Sequence, residues 1–286
     1  MKYKTKKVFS KPLQLPLIEK SRNNDDDFMI DLVEAANELR ESLLLCSTLS
    51  AQIDISQIYQ AVLMGLVVRL YKLYDTYVLL INENRLEIAL LLGRSACDSA
   101  IDLTYLCDKL DDNKLNKFIK ASLATGRIIY DEIEEDKRKG NGNTFIQERI
   151  QYSILNSFKD TGFSMEEVLP KDMYCFGTVA SRAEKCNLKR TYDFVYRNLS
   201  RVTHGNWSEF ERYHLKKKDN LYYPNCNYCR SKPQSIDGIS ILICKAILKY
   251  TNTIAPGSEL SNRLPIICDW FLSMALKHEQ FLSDNK

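Results

Sequence analysis

The chain has 286 residues, 45% of them hydrophobic and 27% charged, enough to bury a sizeable core. Ten glycines and seven prolines are too few for the frequent turns of an all-β fold, so long helices are expected. A formal net charge of +3 provides no general field that would draw the whole surface to nucleic acid, and any anion site has to be local.

Residues 1–26 are expected to form a flexible arm: Pro12 and Pro16 disfavour helix, and the stretch from Asn23 to Asp27 is strongly polar. An arm that packs along the body is the alternative reading. Residues 27–286 are expected to form a single α-helical domain, a multi-helix bundle. Asp25 to Asp27 suit a helix start, and Phe28, Leu32, Ala36, Leu39 and Leu43 follow at helical spacing. A second helix is predicted from Ser56 to Leu80. A third, from Asn84 to Leu106, is apolar over so much of its surface that it belongs at the centre. Lys114 to Lys137 and Thr144 to Asp160 give two more, separated by an exposed loop with Gly140 and Gly142. Shorter helices are predicted at Thr178 to Cys186 and Lys189 to Thr203. Residues 211–236 read as irregular. Two helices close the chain, Ser235 to Thr251 and Asn262 to Phe281, the second accommodating Pro265 in its first turn.

No apolar run reaches the ~18 residues of a spanning helix. The basic start (Lys2, Lys4, Lys6, Lys7) has no hydrophobic stretch behind it to make a signal peptide. Five of the nine cysteines, Cys46, Cys97, Cys107, Cys244 and Cys268, lie in apolar helical runs, which with the odd count points to free thiols in a reducing compartment. A cytoplasmic protein with no membrane partner is expected.

One segment carries the chemistry: Tyr192-Asp193-Phe194-Val195-Tyr196-Arg197-Asn198-Leu199-Ser200-Arg201-Val202-Thr203-His204-Gly205. At about 100° per residue, positions seven apart return to nearly one face, so Arg197 and His204 project the same way with Ser200 between them. Gly205 suits a helix stop and puts His204 at the C-terminal end, where the dipole favours imidazolium. Arginine binds phosphate and stabilises charge that develops on it, and histidine transfers protons near neutral pH. RNA cleavage by its own 2′-hydroxyl needs those two functions and no metal or other cofactor. One helix seldom completes a site, so a two-fold homodimer that brings two such helices together is expected.

Arg197-Asn198 followed by His204 resembles the Arg-polar-x(n)-His motif of the HEPN superfamily, small helical domains found in bacterial defence and toxin systems. In its ribonuclease members Arg and His from two protomers face each other and the reaction leaves a cyclic phosphate. The resemblance implies a metal-independent endoribonuclease with RNA as partner: Arg197 on the scissile phosphate, His204 as acid–base group, Asn198 and Ser200 positioning them. The wider stretch from Ala180 to Tyr213, with Tyr-Arg-x-x-Ser and a downstream His-Gly, is similar to an uncharacterised bacterial helical family. Leu91-Leu92-Gly93-Arg94-Ser95-Ala96-Cys97-Asp98 resembles that family's arginine-and-acid helix, with Asp98 in place of Glu.

Arg94, Asp98 and Asp102 share one face of an otherwise apolar helix, where charges need partners. They are candidates to support the catalytic pair, Asp98 by orienting Arg197 or His204. The plainer reading pairs Arg197 with Asp98 or Asp102 in the core, leaving a non-catalytic module that binds a protein partner or a nucleotide. Cys226-Asn227-Tyr228-Cys229 has zinc-ligand spacing but lacks a second pair, although His214, Cys186 and Cys175 are at hand; no metal is expected. Tyr192, Tyr196, Trp207 and Tyr213 are candidates to stack bases, and Lys216 to Lys218 to meet a phosphate backbone.

Overall fold

A computed structural model describes residues 12–49, 51–141 and 144–285. Among these the chain is an all-α, multi-helix bundle with one small hairpin. Helix α1 (Asp25–Cys46) starts where Asn24 accepts from the Asp27 amide at 3.0 Å. Helix α2 (Gln57–Asn82) is capped by Ser56. Helix α3 (Leu86–Asp108) follows after a tight turn through Asn84, whose φ is 55°. Each start supplies a side-chain or backbone acceptor for amides that the first turn leaves orphaned.

Helix α3 is central, as its apolar surface predicts. It packs against α2 on one side and against α10 (Pro233–Ile254) on another, while α1 and α11 (Glu259–Asp284) complete the layer. Gly93 allows the close approach of α3 and α10: a Cβ there would stand 2.6 Å from Ile239 Cδ1 and 3.1 Å from the Tyr77 ring. Cys46, Cys97, Cys107, Cys244 and Cys268 are buried free thiols that fill this core as small apolar groups.

Helices α4 (Asp112–Arg138) and α5 (Phe145–Thr161) form an antiparallel pair beside this body. Thr144 and Gln147 close a capping box at the start of α5. Gly140 adopts a left-handed φ of 76°, while Gly142 of the expected loop lies outside the described residues. A 3-10 turn at Pro170–Tyr174 packs on α4, and α6 (Val179–Lys185) packs on α3.

The motif helix spans the residues expected but is not uniformly α. It runs as α7 (Lys189–Thr191), a π turn at Tyr192–Tyr196, and α8 (Arg197–Thr203). Beyond it, α9 (Trp207–Glu209) leads into a second π turn at Phe210–His214.

Residues 211–236 are more ordered than expected. Strands β1 (Leu215–Lys218) and β2 (Leu221–Pro224) pair antiparallel, with Lys216 opposite Tyr223 and Lys218 opposite Leu221. Asp219 and Asn220 turn the chain with φ of 51° and 61°, the left-handed pair that a two-residue hairpin turn demands. Helix α11 also begins earlier than expected, at Glu259, so Pro265 lies inside the helix and past its first turn. Its ring nitrogen cannot donate to the Ser261 carbonyl, a cost met by packing: Leu264, Ile267, Phe271 and Met274 are fully buried.

Within the segment expected as a flexible arm, residues 1–11 lie outside the described residues, and residues 12–24 lie against α1 and α11. The Arg22 side chain is buried, donating to Asp31 at 2.7 Å and to the carbonyls of Leu17, Ile18 and Lys20. The Trp270 indole donates to the Pro16 carbonyl at 2.7 Å, and Lys277 to that of Ile18 at 2.5 Å. No described helix is long and apolar enough to cross a membrane.

Candidate functional site

Helix α8 stands against α3 because Tyr196 and Leu199 are buried on its inner side. The contact is also polar. Arg94 donates from Nε to Ser200 Oγ at 2.8 Å and pairs with Asp98 one turn along α3. The other Asp98 oxygen accepts from the Tyr196 hydroxyl at 2.9 Å. The Arg94 guanidinium lies 3.5 Å from the Tyr196 ring centroid, a cation–π contact. Ser200 in turn donates to the Tyr196 carbonyl at 3.0 Å. Burial, reinforced by the charge of Asp98, holds the Tyr196 hydroxyl well above the usual tyrosine range.

Asp102 is not part of this cluster. It accepts from Arg182 Nε of α6 at 2.7 Å, and Arg182 also donates to the Gly177 carbonyl at 2.5 Å. The Asp102 side chain is only 17% exposed. Burial pushes its carboxyl up to about 6, outweighing the attraction of Arg182.

The arginine of the motif takes neither acid. The Arg197 side chain is 66% exposed and lies 3.3 Å from Asp193, one turn back on its own helix. Its guanidinium is 5.7 Å from the Tyr192 ring centroid. His204 is exposed and occupies the C-cap of α8, with Gly205 at φ 56° just beyond. The pairing of Arg197 with Asp98 or Asp102 is therefore corrected: Arg94 and Arg182 satisfy those carboxylates. Asn198 is exposed, its amide donating to the Phe194 carbonyl at 2.6 Å. Of the seven expected site residues, Arg94, Asp98 and Ser200 come together, Arg197 and His204 remain in solvent at opposite ends of α8, and Asn198 and Asp102 stand apart from both.

The proposed base-stacking set is also dispersed. Tyr192 and Tyr196 stack on each other at 4.6 Å, Tyr213 is buried, and Trp207 meets Tyr222 edge-on at 5.3 Å. The zinc spacing finds no ligand set. Cys226 is exposed, and His214 is held by Glu209 at 2.6 Å. Among the described residues no three His, Cys, Asp or Glu side chains gather as a metal site would require.

A cavity of about 780 Å³ opens on the other flank of α8. Its floor is aliphatic, with Leu90 from α3, Val195 and Val202 from the motif helix and Ile239 from α10. Arg201, Arg212, Arg230 and Lys232 stand around it, with Asn198, Glu209 and Gln234. Sequence reading missed this grouping because its members come from four separate stretches, from Leu86 to Ile239. Arg182 was missed for the same reason: it lies 80 residues from Asp102. Tyr196 was visible as an aromatic, but nothing local marked its hydroxyl as the donor to Asp98.

Neither curated proteins nor solved structures give a match to the chain. A family of unknown function, DUF5677, matches residues 60–221, from the first turn of α2 to the start of β2. That span is more than half of the chain and contains both sides of the α3–α8 contact, Arg94 and Asp98 as well as Tyr196 and Ser200. The chain belongs to this family of unknown function.

Proposed function

We propose that the chain is a metal-independent endoribonuclease of HEPN type, acting as a homodimer on RNA in the cytoplasm, in bacterial defence or toxin activity. The observation that supports this reading best is that Arg197 and His204 both stand in solvent, Arg197 at the start of α8 and His204 at its C-cap. Neither group is consumed by the core: Arg197 reaches the part-buried Asp193 and the Tyr192 ring, both on its own helix.

In this reading His204 takes the proton of a ribose 2′-hydroxyl, and the 2′-oxygen attacks the adjacent phosphorus. Arg197 stabilises the charge that builds on the non-bridging oxygens. The bond from phosphorus to the 5′-oxygen breaks, that oxygen takes a proton from the partner's His204, and a 2′,3′-cyclic phosphate remains. Ser200 and Asn198 are positioning residues: Ser200 ties α8 to Arg94, and Asn198 bonds to its own helix.

The test is incubation of the purified full chain with total RNA in the presence of a chelator. Wild type should cut and leave cyclic ends. His204→Ala and Arg197→Ala should each lower the rate by about 100-fold or more, with unchanged melting. A wild-type chain that cuts no RNA, or a His204→Ala chain that cuts equally well, removes the reading and leaves a binding module.

A further inference from the structure

The cavity beside α8 combines three features that one class of ligand satisfies together. The first is uncompensated positive charge. Arg230 is neutralised by Asp26 at 2.6 Å, but Arg201, Arg212 and Lys232 have no carboxylate partner among the described residues. Lys232 is moreover the N-cap of α10, a 22-residue helix with no side-chain cap and no acid in its first turn. A cation at the positive end of a helix is unfavourable by itself, and an anion lying between them relieves both.

The second feature is a buried acceptor that lacks a donor. Glu209 lines the cavity and is only 7% exposed; one oxygen holds His214 at 2.6 Å, and the other has no hydrogen-bond partner among the described residues. That oxygen is fully buried, so a ligand hydroxyl or N–H group would meet it only with a turn of the Glu209 side chain toward the cavity. The third is the aliphatic floor of Leu90, Val195, Val202 and Ile239, which suits the face of a flat ring. Both π turns contribute to the walls, Val195 from the first and Arg212 from the second. Such turns are rare and concentrate at functional sites.

We infer that this cavity binds a nucleoside phosphate, with the phosphate at Arg201, Arg212 and Lys232, a ribose hydroxyl or base N–H at Glu209, and the base on the aliphatic floor. A fatty acid would match the charge and the floor but brings no donor for Glu209. Inorganic phosphate would match the charge alone. The site adjoins the residues of the cleavage reading and shares Asn198 with them, but neither Arg197 nor His204 lines the cavity.

Calorimetric titration of the full chain with AMP, GMP, CMP and UMP tests this, with inorganic phosphate and octanoate as controls. At least one mononucleotide should bind at least ~10-fold more tightly than either control. Arg201→Gln combined with Arg212→Gln should weaken it by at least ~10-fold while the melting curve stays in place, because both side chains are on the surface. His204→Ala should bind as wild type does, so failure of the cleavage reading would leave this site standing. Displacement of the bound mononucleotide by a short RNA with a terminal phosphate would assign the cavity to one nucleotide of a strand; no displacement would assign it to free nucleotide. Absence of binding by all four mononucleotides, equal binding of octanoate, or an unaltered affinity in the double variant overturns the proposal.

Discussion

On the side of α8 that faces α3, every polar group has a fixed partner: Ser200 holds Arg94, Arg94 holds Asp98, and Asp98 holds Tyr196. On the side that faces solvent, Arg197 reaches Asp193 and the Tyr192 ring, both on its own helix, and His204 ends the helix in the open. The two sides are built from the same kinds of residue, yet one has been spent on packing and the other has not. Being polar, charged and close in sequence does not by itself mark a catalytic group. What separates the two sides is whether a neighbouring element has already satisfied the side chain.

Substitutions can break this contrast, beginning with the deepest charges. Arg182→Met should cost the most, about 3 kcal/mol in chemical denaturation, because it strands the largely buried Asp102 and frees the Gly177 carbonyl. The next effect is in pH. The Asp102 carboxyl titrates at about 6 when folded and near 4 when unfolded. Between those values the folded chain keeps a proton that the unfolded chain has released. That stabilisation is full below about pH 4 and is lost as pH rises through about 6. Asp237, also pushed up to about 6 by burial, contributes in the same window. Melting curves from pH 4 to pH 7 should fall with rising pH, and Asp102→Asn should flatten the fall by about 2 kcal/mol. An unchanged slope would mean that the carboxylate is ionised throughout.

Smaller effects sharpen the comparison at α8 itself. Ser200→Ala removes the acceptor of Arg94 Nε and should cost about 1 kcal/mol. Arg197→Ala, three residues away, should cost no more than about 0.5 kcal/mol, since the arginine is largely exposed and Asp193 keeps Lys189 as a partner. Thermal melting of the two variants side by side checks both. Equal losses would show that the two sides of the helix are not different after all.

Much of the fold was legible in the sequence because helical periodicity is a local signal. The central place of α3 followed from its apolar girth, and the starts of α1 and α2 from Asp25 to Asp27 and Ser56 beside the apolar runs. The hairpin was legible too, had Asp219-Asn220 between Lys216–Lys218 and Leu221–Tyr223 been read as a turn. Helix α11 starts before the position Pro265 suggests because burial of Leu260, Leu264 and Ile267 outweighs the one backbone hydrogen bond the proline removes. At the candidate site only the local part was visible, Arg94 and Asp98 one turn apart on one helix; Ser200, expected between Arg197 and His204, instead meets Arg94 across the α3–α8 contact. The partners of Asp102 and the walls of the cavity were not, because they depend on how distant helices meet, and periodicity carries no information on that.

The segment from Pro12 to Asn24 has a consequence of its own. Its carbonyls at Pro16 and Ile18 are gripped by Trp270 and Lys277, so the earliest described stretch is fastened to the last helix. Loosening either one exposes the other: a cut before Arg22 would bare the apolar flank of α11, and a cut before Trp270 would release the strap. Stretches some 250 residues apart in the chain therefore cover one another, and a shortened version of this protein that drops one uncovers the other.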